Sequence, residues 1–224
     1  MREIVLDTET TGLDPMSGHR IVEIGCVELI NHVATENTYW QYINPECDIP
    51  EEAYAIHGLT TEFLSDKPLF SNIAVAFLEF IGDASLIIHN AKFDIGFINA
   101  ELTRANLLPL EIARAIDTVQ LARKKFPGAP ASLDALCRRF QVDNSGRELH
   151  GALKDAHLLA RVYLELVGGR QPNLNLTEGA IKTASLQDKW KPQVRQPRAH
   201  AASTEELAAH ESFMKQLSDP IWKS

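Results

Sequence analysis

Cysteine is scarce in this sequence. Cys26, Cys47 and Cys137 are the only three, far apart and odd in number. They form neither a zinc-ligand spacing nor a disulfide set, and read as small buried apolar residues. Long apolar runs are missing too. None approaches the ~20 residues that span a bilayer. The N-terminal MREIVLDTET has no basic segment, apolar stretch and small-residue cleavage site in succession, so no secretory signal is expected. These absences point to the cytoplasm and to no membrane partner. Basic residues are in deficit, with a net charge of −8, so the chain as a whole lacks the usual electrostatic mark of a nucleic-acid binder. The deficit lies in residues 1–168, which hold 14 Lys+Arg against 24 Asp+Glu; residues 169–224 hold 8 against 6. An acidic body meets a phosphate backbone only if bound cations lie between them or a partner supplies the contact.

What is present is an ordered alternation of elements. Glu3–Thr8 is an apolar run ending in Asp-Thr-Glu-Thr-Thr-Gly and reads as a strand leaving the core. Arg20–Ile30 and Asn37–Asn44 are rich in Ile, Val, Tyr and Trp, as strands are. Glu51–Ile56 is a short helix, and Ser71–Ile81 carries Ile73, Ala76, Phe77 and Phe80 at helical spacing. Ser85–His89 is a buried strand; Asn90 is positioned to cap a helix over Ala91–Asn106. Ile116 ends a short strand, Asp117 or Thr118 opens a helix, and Ser132 starts another. Gly151–Val167 is a long helix stopped by Gly168-Gly169. A strand meander followed by alternating strands and helices predicts a mixed α/β sheet with helices packed on it. Residues 169–202 lack periodicity, carry several prolines and are basic, which reads as a flexible linker. Periodicity returns at Ser203–Leu217.

The chemistry concentrates in acidic residues at element ends. Asp7 and Glu9 are two apart, so a strand puts both carboxylates on one face and turns Thr8 into packing. Crowded carboxylates repel unless a cation neutralises them, and hard oxygen ligands suit Mg²⁺ or Mn²⁺. A solvated edge pair explains Asp-x-Glu alone equally well. Asp94 and Asp155 each sit on the first turn of a helix, where a carboxylate is also favourable for the helix alone. His150 lies just before the last helix; a lone His there is more often structural. Taken jointly, four carboxylates at element ends with a His beside the last make an inventory for two-cation hydrolysis of a phosphodiester, the imidazole accepting the proton of the attacking water.

Asp7-Thr-Glu9-Thr-Thr-Gly12, His89-Asn-Ala-Lys-Phe-Asp94 and His150-Gly-Ala-Leu-Lys-Asp155-Ala156 resemble the three motifs of the DEDDh 3′→5′ exonuclease superfamily, in the right order, within the first 168 residues. The resemblance implies a ribonuclease-H-like fold. It implies that Asp7, Glu9, Asp94 and Asp155 bind two divalent cations, that His150 is the general base, and that Thr8, Thr10 and Thr11 line the site of the 3′-terminal nucleotide. The run Ile56-His57-Gly58-Leu59-Thr60 is similar to the family loop against the terminal bases, His57 serving either as a substrate contact or as a buried structural imidazole. Asp117-Thr118 also matches a family position and reads as a helix cap.

Within the superfamily, the segment from Ser203 through Trp222-Lys223 resembles the C-terminal segment of the epsilon family of bacterial DNA polymerase III proofreading subunits. That implies docking of residues 203–224 on the polymerase III catalytic (alpha) subunit, with a 3′ end of single-stranded DNA as substrate. Ser203 and Glu206 fit a capping box, and Leu207, Met214 and Leu217 share a stripe with Trp222 beyond it. A frayed tail without function is the plain alternative. Gln171-Pro-Asn-Leu174-Asn-Leu176 resembles a sliding-clamp motif lacking its final aromatic, and chance accounts for so short a match too. Two other functions stay open: an RNA-trimming exonuclease of the same superfamily, and a non-catalytic module that stabilises a polymerase.

Overall fold

The computed structural model describes residues 1–145, 149–168 and 201–216. Five strands form one sheet in the order β3-β2-β1-β4-β5. They are β1 (Arg2–Thr10), β2 (Ile21–Ile30), β3 (Val33–Tyr42), β4 (Ser85–Ile88) and β5 (Ala115–Asp117). β1 to β3 form an antiparallel meander, and β4 and β5 extend β1 in parallel. The mixed sheet expected from the sequence is the sheet observed.

β1 is central and covered on both faces, so its apolar run is continuous rather than alternating. Ile4 and Leu6 face the cluster built by α3 (Phe70–Ile81) and α4 (Ala91–Arg104), with Phe77, Phe97 and Ile98 at its heart. Val5 faces the opposite cluster, where α7 (Ala152–Leu166) contributes Leu159 and Val162. Side chains of this size each stabilise the fold by ~1.5–3 kcal/mol when buried. The smaller helices are α1 (Glu51–His57), α2 (Thr61–Leu64), α5 (Thr118–Lys125) and α6 (Leu133–Phe140).

Several boundaries differ from the expectation, each for a local reason. β3 begins at Val33 because Asn31 and His32 both adopt positive φ, 52° and 67°, as a two-residue type I′ hairpin turn requires. α2 is too short to show helical periodicity; Thr60 caps it, accepting the Phe63 N–H at 3.1 Å. Asn90 does not cap α4 with its side chain. Its backbone is left-handed (φ 71°, ψ 56°), whereas a capping residue is extended. Asp117 does cap α5 and Ser132 caps α6, as anticipated. Cys26 and Cys137 are buried, but Cys47 is exposed, a correction to the buried reading.

A second unit contains α8 (Thr204–Met214), opened by the expected capping box of Ser203 and Glu206. Met214 is buried, while Leu207, on the same stripe, is exposed. The linker over 169–200, the clamp-like Gln171–Leu176, and the anchors Leu217 and Trp222 lie outside the described residues. Among the described residues no helix is long and apolar enough to cross a membrane.

Candidate active site

β1 delivers the first carboxylates. Val5 faces α7, and alternation sends Asp7 and Glu9 to that same side. The N-terminal turn of α7 supplies Asp155, buried at 3% exposure, and the segment before it supplies His150, whose backbone N–H donates to the Ile56 carbonyl at 3.0 Å. His150 Nδ1 lies 3.4 Å from Asp155 Oδ2, and the imidazole remains 44% exposed, open to solvent. Ligand atoms of Glu9, His150 and Asp155 all fall within 4.8 Å of one another. Two carboxylates and one imidazole at that spacing fit a divalent cation and its hard-oxygen preference. Asp7 and Asp94 fall outside this trio.

Asp94 approaches from the other face, on the first turn of α4. The Thr8 backbone N–H and hydroxyl both donate to Asp94 Oδ1, at 3.1 and 2.7 Å. Thr8 therefore turns away from Asp7 and Glu9, as alternation requires, and what it packs against is the third motif carboxylate. Asp94 is almost fully buried, and burial pushes its carboxyl up to about 7 against the pull of the Thr8 donors. A positive charge beside it would favour the carboxylate by compensating its lost hydration.

Thr8, Thr10, Thr11 and His57, the four expected substrate contacts, line one cavity of about 460 Å³ together with Phe93. The Thr10 hydroxyl donates to the Gly12 carbonyl at 2.7 Å and the Thr11 hydroxyl accepts the Arg20 N–H at 2.9 Å, so both also shape the loop that forms the wall. Gly12 is required there, because a Cβ would run into the His19 ring. His57 Nδ1 accepts the Leu59 N–H at 3.0 Å, which places the neutral ring's proton on Nε2. Burial holds this imidazole below its ordinary value. Glu9 and Glu52 are the acids on its walls; the rest of the lining is hydroxyl, imidazole and apolar surface, including Leu13, Pro50, Ile56 and Phe93.

Sequence reasoning missed Glu23. It sits opposite Glu9 in the β1–β2 ladder, is 3% exposed, and accepts the Trp40 indole N–H at 2.6 Å and the Ala152 backbone N–H. Burial raises its carboxyl. α7 has only Gly151 at its cap and no side-chain cap of its own, so Glu23 satisfies one of the orphan N–H groups of the helix that carries Asp155. Gly25 lets β2 approach α7, since a Cβ there would collide with the Ala152–Leu153 backbone. The one sequence signal was a glycine and an acidic residue inside an apolar strand.

Residues 4–163 match the family model described as Exonuclease. DNA polymerase III subunit epsilon of Rickettsia felis is 54% identical over 225 residues, covering 97% of this chain and 97% of that protein. The chain belongs to the DNA polymerase III subunit epsilon family. The epsilon subunit of Escherichia coli K12 is 43% identical, covering 94% of this chain and 91% of its own length. Among solved structures, Exonuclease X in complex with 5′ overhanging duplex DNA matches with a TM-score of 0.59 at 27% identity, covering 73% of this chain and 90% of that one. The nuclease domain of 3′hExo, a DEDDh family member bound to rAMP, matches with a TM-score of 0.63 at 21% identity, covering 74% and 91%. That last likeness is one of fold, and the epsilon-family chain has the ribonuclease-H-like exonuclease fold.

Proposed function

We propose that this chain is a proofreading 3′→5′ exodeoxyribonuclease of a replicative DNA polymerase. It hydrolyses the 3′-terminal phosphodiester of single-stranded or frayed DNA and releases nucleoside 5′-monophosphates. The observation that carries the reading is the convergence of Glu9, Asp155 and His150, with Asp7 on the same face of β1 by strand alternation and Asp94 tied to that strand through Thr8. The terminal base and sugar occupy the cavity lined by Thr8, Thr10, Thr11 and His57. His150, exposed and directed at Asp155, takes the proton of the attacking water. Asp7, Glu9, Asp94 and Asp155 would hold two divalent cations, Mg²⁺ or Mn²⁺, whose chemistry when bound is to acidify that water and to stabilise charge on the departing 3′ oxygen. Selectivity for mismatched ends follows from access, because an unpaired end enters the cavity and a duplex end must first fray.

Residues 1–168 form the nuclease domain in this reading, 169–202 a linker, and 203–224 the segment that docks on the polymerase III alpha subunit, with Gln171–Leu176 engaging the sliding clamp. The protein acts in the cytoplasm. The identity of its epsilon relatives over nearly the whole chain supports this assembly over an RNA-trimming enzyme. The test is degradation of a 3′-mismatched DNA primer, beside a matched RNA strand, with purified chain. Mismatch-dependent release of mononucleotides, abolished by EDTA and restored by Mg²⁺ or Mn²⁺, is expected. Preference for RNA, or full activity in EDTA, overturns the reading.

A further inference from the structure

A cleft of about 840 Å³ opens beside the site, larger than the cavity assigned to the terminal nucleotide. It lies at the C-terminal ends of the parallel strands β4 and β5, the place where α/β sheets receive ligands. Its walls come from the β4–α4 junction, from α5 and from the loop before α6. The first turn of α4 separates the two hollows: Lys92 lines the cleft, Phe93 lines the nucleotide cavity, and Asp94 follows. A strand whose terminal nucleotide fills the cavity, with its scissile phosphate at Glu9 and Asp155, therefore has this cleft on the far side of the turn.

The charge in the cleft is unusual for this chain. Lys92 and Arg123 both line it, both are exposed, and neither has a carboxylate partner among the described residues, although the chain carries a net charge of −8. The acid in the cleft, Asp117, is already engaged by the backbone N–H groups of Asn90 and Val119 and by the Gln120 amide. No Phe, Tyr or Trp side chain lines the walls, and the one aromatic ring that does, His89, is tied to the Thr118 hydroxyl. Cations without aromatics recognise a phosphate backbone, which positions a strand without reading its sequence.

We propose that this cleft holds the sugar-phosphate backbone of the substrate strand on the 5′ side of the scissile bond, with Lys92 and Arg123 pairing with its phosphates. The proposal rests on the exonuclease reading above. It gives an acidic domain a hold on a strand that does not depend on sequence: Lys92 and Arg123, without a carboxylate partner among the described residues, line the path of the phosphates.

The test uses the full chain and a Lys92→Gln/Arg123→Gln variant, whose changes are at exposed positions. Three substrates are compared: an oligothymidylate of about ten nucleotides, within the site sizes of single-strand binders, a thymidine dinucleotide, and the p-nitrophenyl ester of thymidine 5′-monophosphate, which has no 5′ strand. The variant should raise KM for the oligonucleotide on the order of tenfold at low salt and lower the salt dependence of binding by ~0.7 per lost phosphate contact. Hydrolysis of the ester and the dinucleotide should match wild type. A Lys124→Gln/Arg138→Gln control makes the same charge change outside the cleft and should leave KM unchanged. An unaltered KM and salt slope in the cleft variant, an equal loss on the ester, or an equal KM rise in the control each overturns the proposal. A wild type inert toward all three substrates overturns the exonuclease reading and the cleft with it.

Discussion

Thr8 and Asp94 are 86 residues apart and joined twice, the threonine N–H and hydroxyl both donating to one carboxylate oxygen. The pair fixes α4 against β1, and the Asp94 backbone N–H donates to the same carboxylate. Structural and functional demands conflict at this position, since the carboxyl is buried enough to prefer its proton.

That conflict gives a pH-dependent prediction. The folded state holds the Asp94 proton to about 7, while an unperturbed carboxyl titrates near 3.8. The metal-free folded state thus binds more protons than the unfolded chain in this window, and Asp94's contribution to stability falls as pH rises between those values. Asn can still accept both Thr8 donors and carries no charge. Asp94→Asn should therefore raise Tm in EDTA above pH 7, leave it unchanged below pH 4, and reduce exonuclease turnover on the order of a thousandfold. Thermal melts of both proteins in EDTA across that range check it; a variant melting below wild type at pH 8 contradicts the burial argument.

His150 is predicted to set the acidic limb of the pH–rate profile. A base must be deprotonated to accept the water's proton, so protonation at low pH removes activity. His150→Ala should lower kcat by ~10²–10⁴-fold and flatten that limb, with cation affinity changed much less. A pH–kcat series on a single-stranded oligonucleotide decides, and a wild-type limb in the variant transfers the role to another group.

Glu23 is predicted to position rather than to react. Glu23→Gln keeps one acceptor oxygen, enough for the Ala152 N–H or for Trp40, and should cost less than truncation. Glu23→Ala leaves a buried N–H unpaired, a loss of about 1–3 kcal/mol, and should lower kcat more than it raises KM because the first turn of α7 carries Asp155. Gly25→Ala should destabilise by a similar ~1–3 kcal/mol through overpacking. Denaturant melts beside steady-state kinetics separate these effects.

The C-terminal segment is predicted to be separable from the nuclease. A fragment 1–170 keeps Asp7, Glu9, Asp94, His150 and Asp155 and should digest single-stranded DNA at near-normal rate. It should lose stable binding to the polymerase alpha subunit, as should a Leu207→Ala/Trp222→Ala variant, because apolar anchors dominate such interfaces. Leu207 is exposed and available for a partner. Gln171, Leu174 and Leu176 changed together to Ala should weaken clamp binding with hydrolysis unchanged. Surface-captured alpha subunit and clamp give the readouts; equal affinity of all forms for the alpha subunit refutes the docking assignment.

The sequence by itself determined the sheet class, most helices, and the motif residues. Strand alternation and helical periodicity are local properties, and the motif carboxylates sit where those local patterns end. It also held the caps at Asp117, Ser132 and Ser203, whose chemistry acts within three residues. The tertiary structure decided the pairings between distant elements: Thr8 with Asp94, Glu23 with the first turn of α7, and Lys92 with Arg123 in one cleft. These depend on sheet register and on how closely helices dock, as at Gly25 against Ala152–Leu153. A period of 2.0 or 3.6 residues tells which face a side chain takes, but only the packed core sets what stands opposite it.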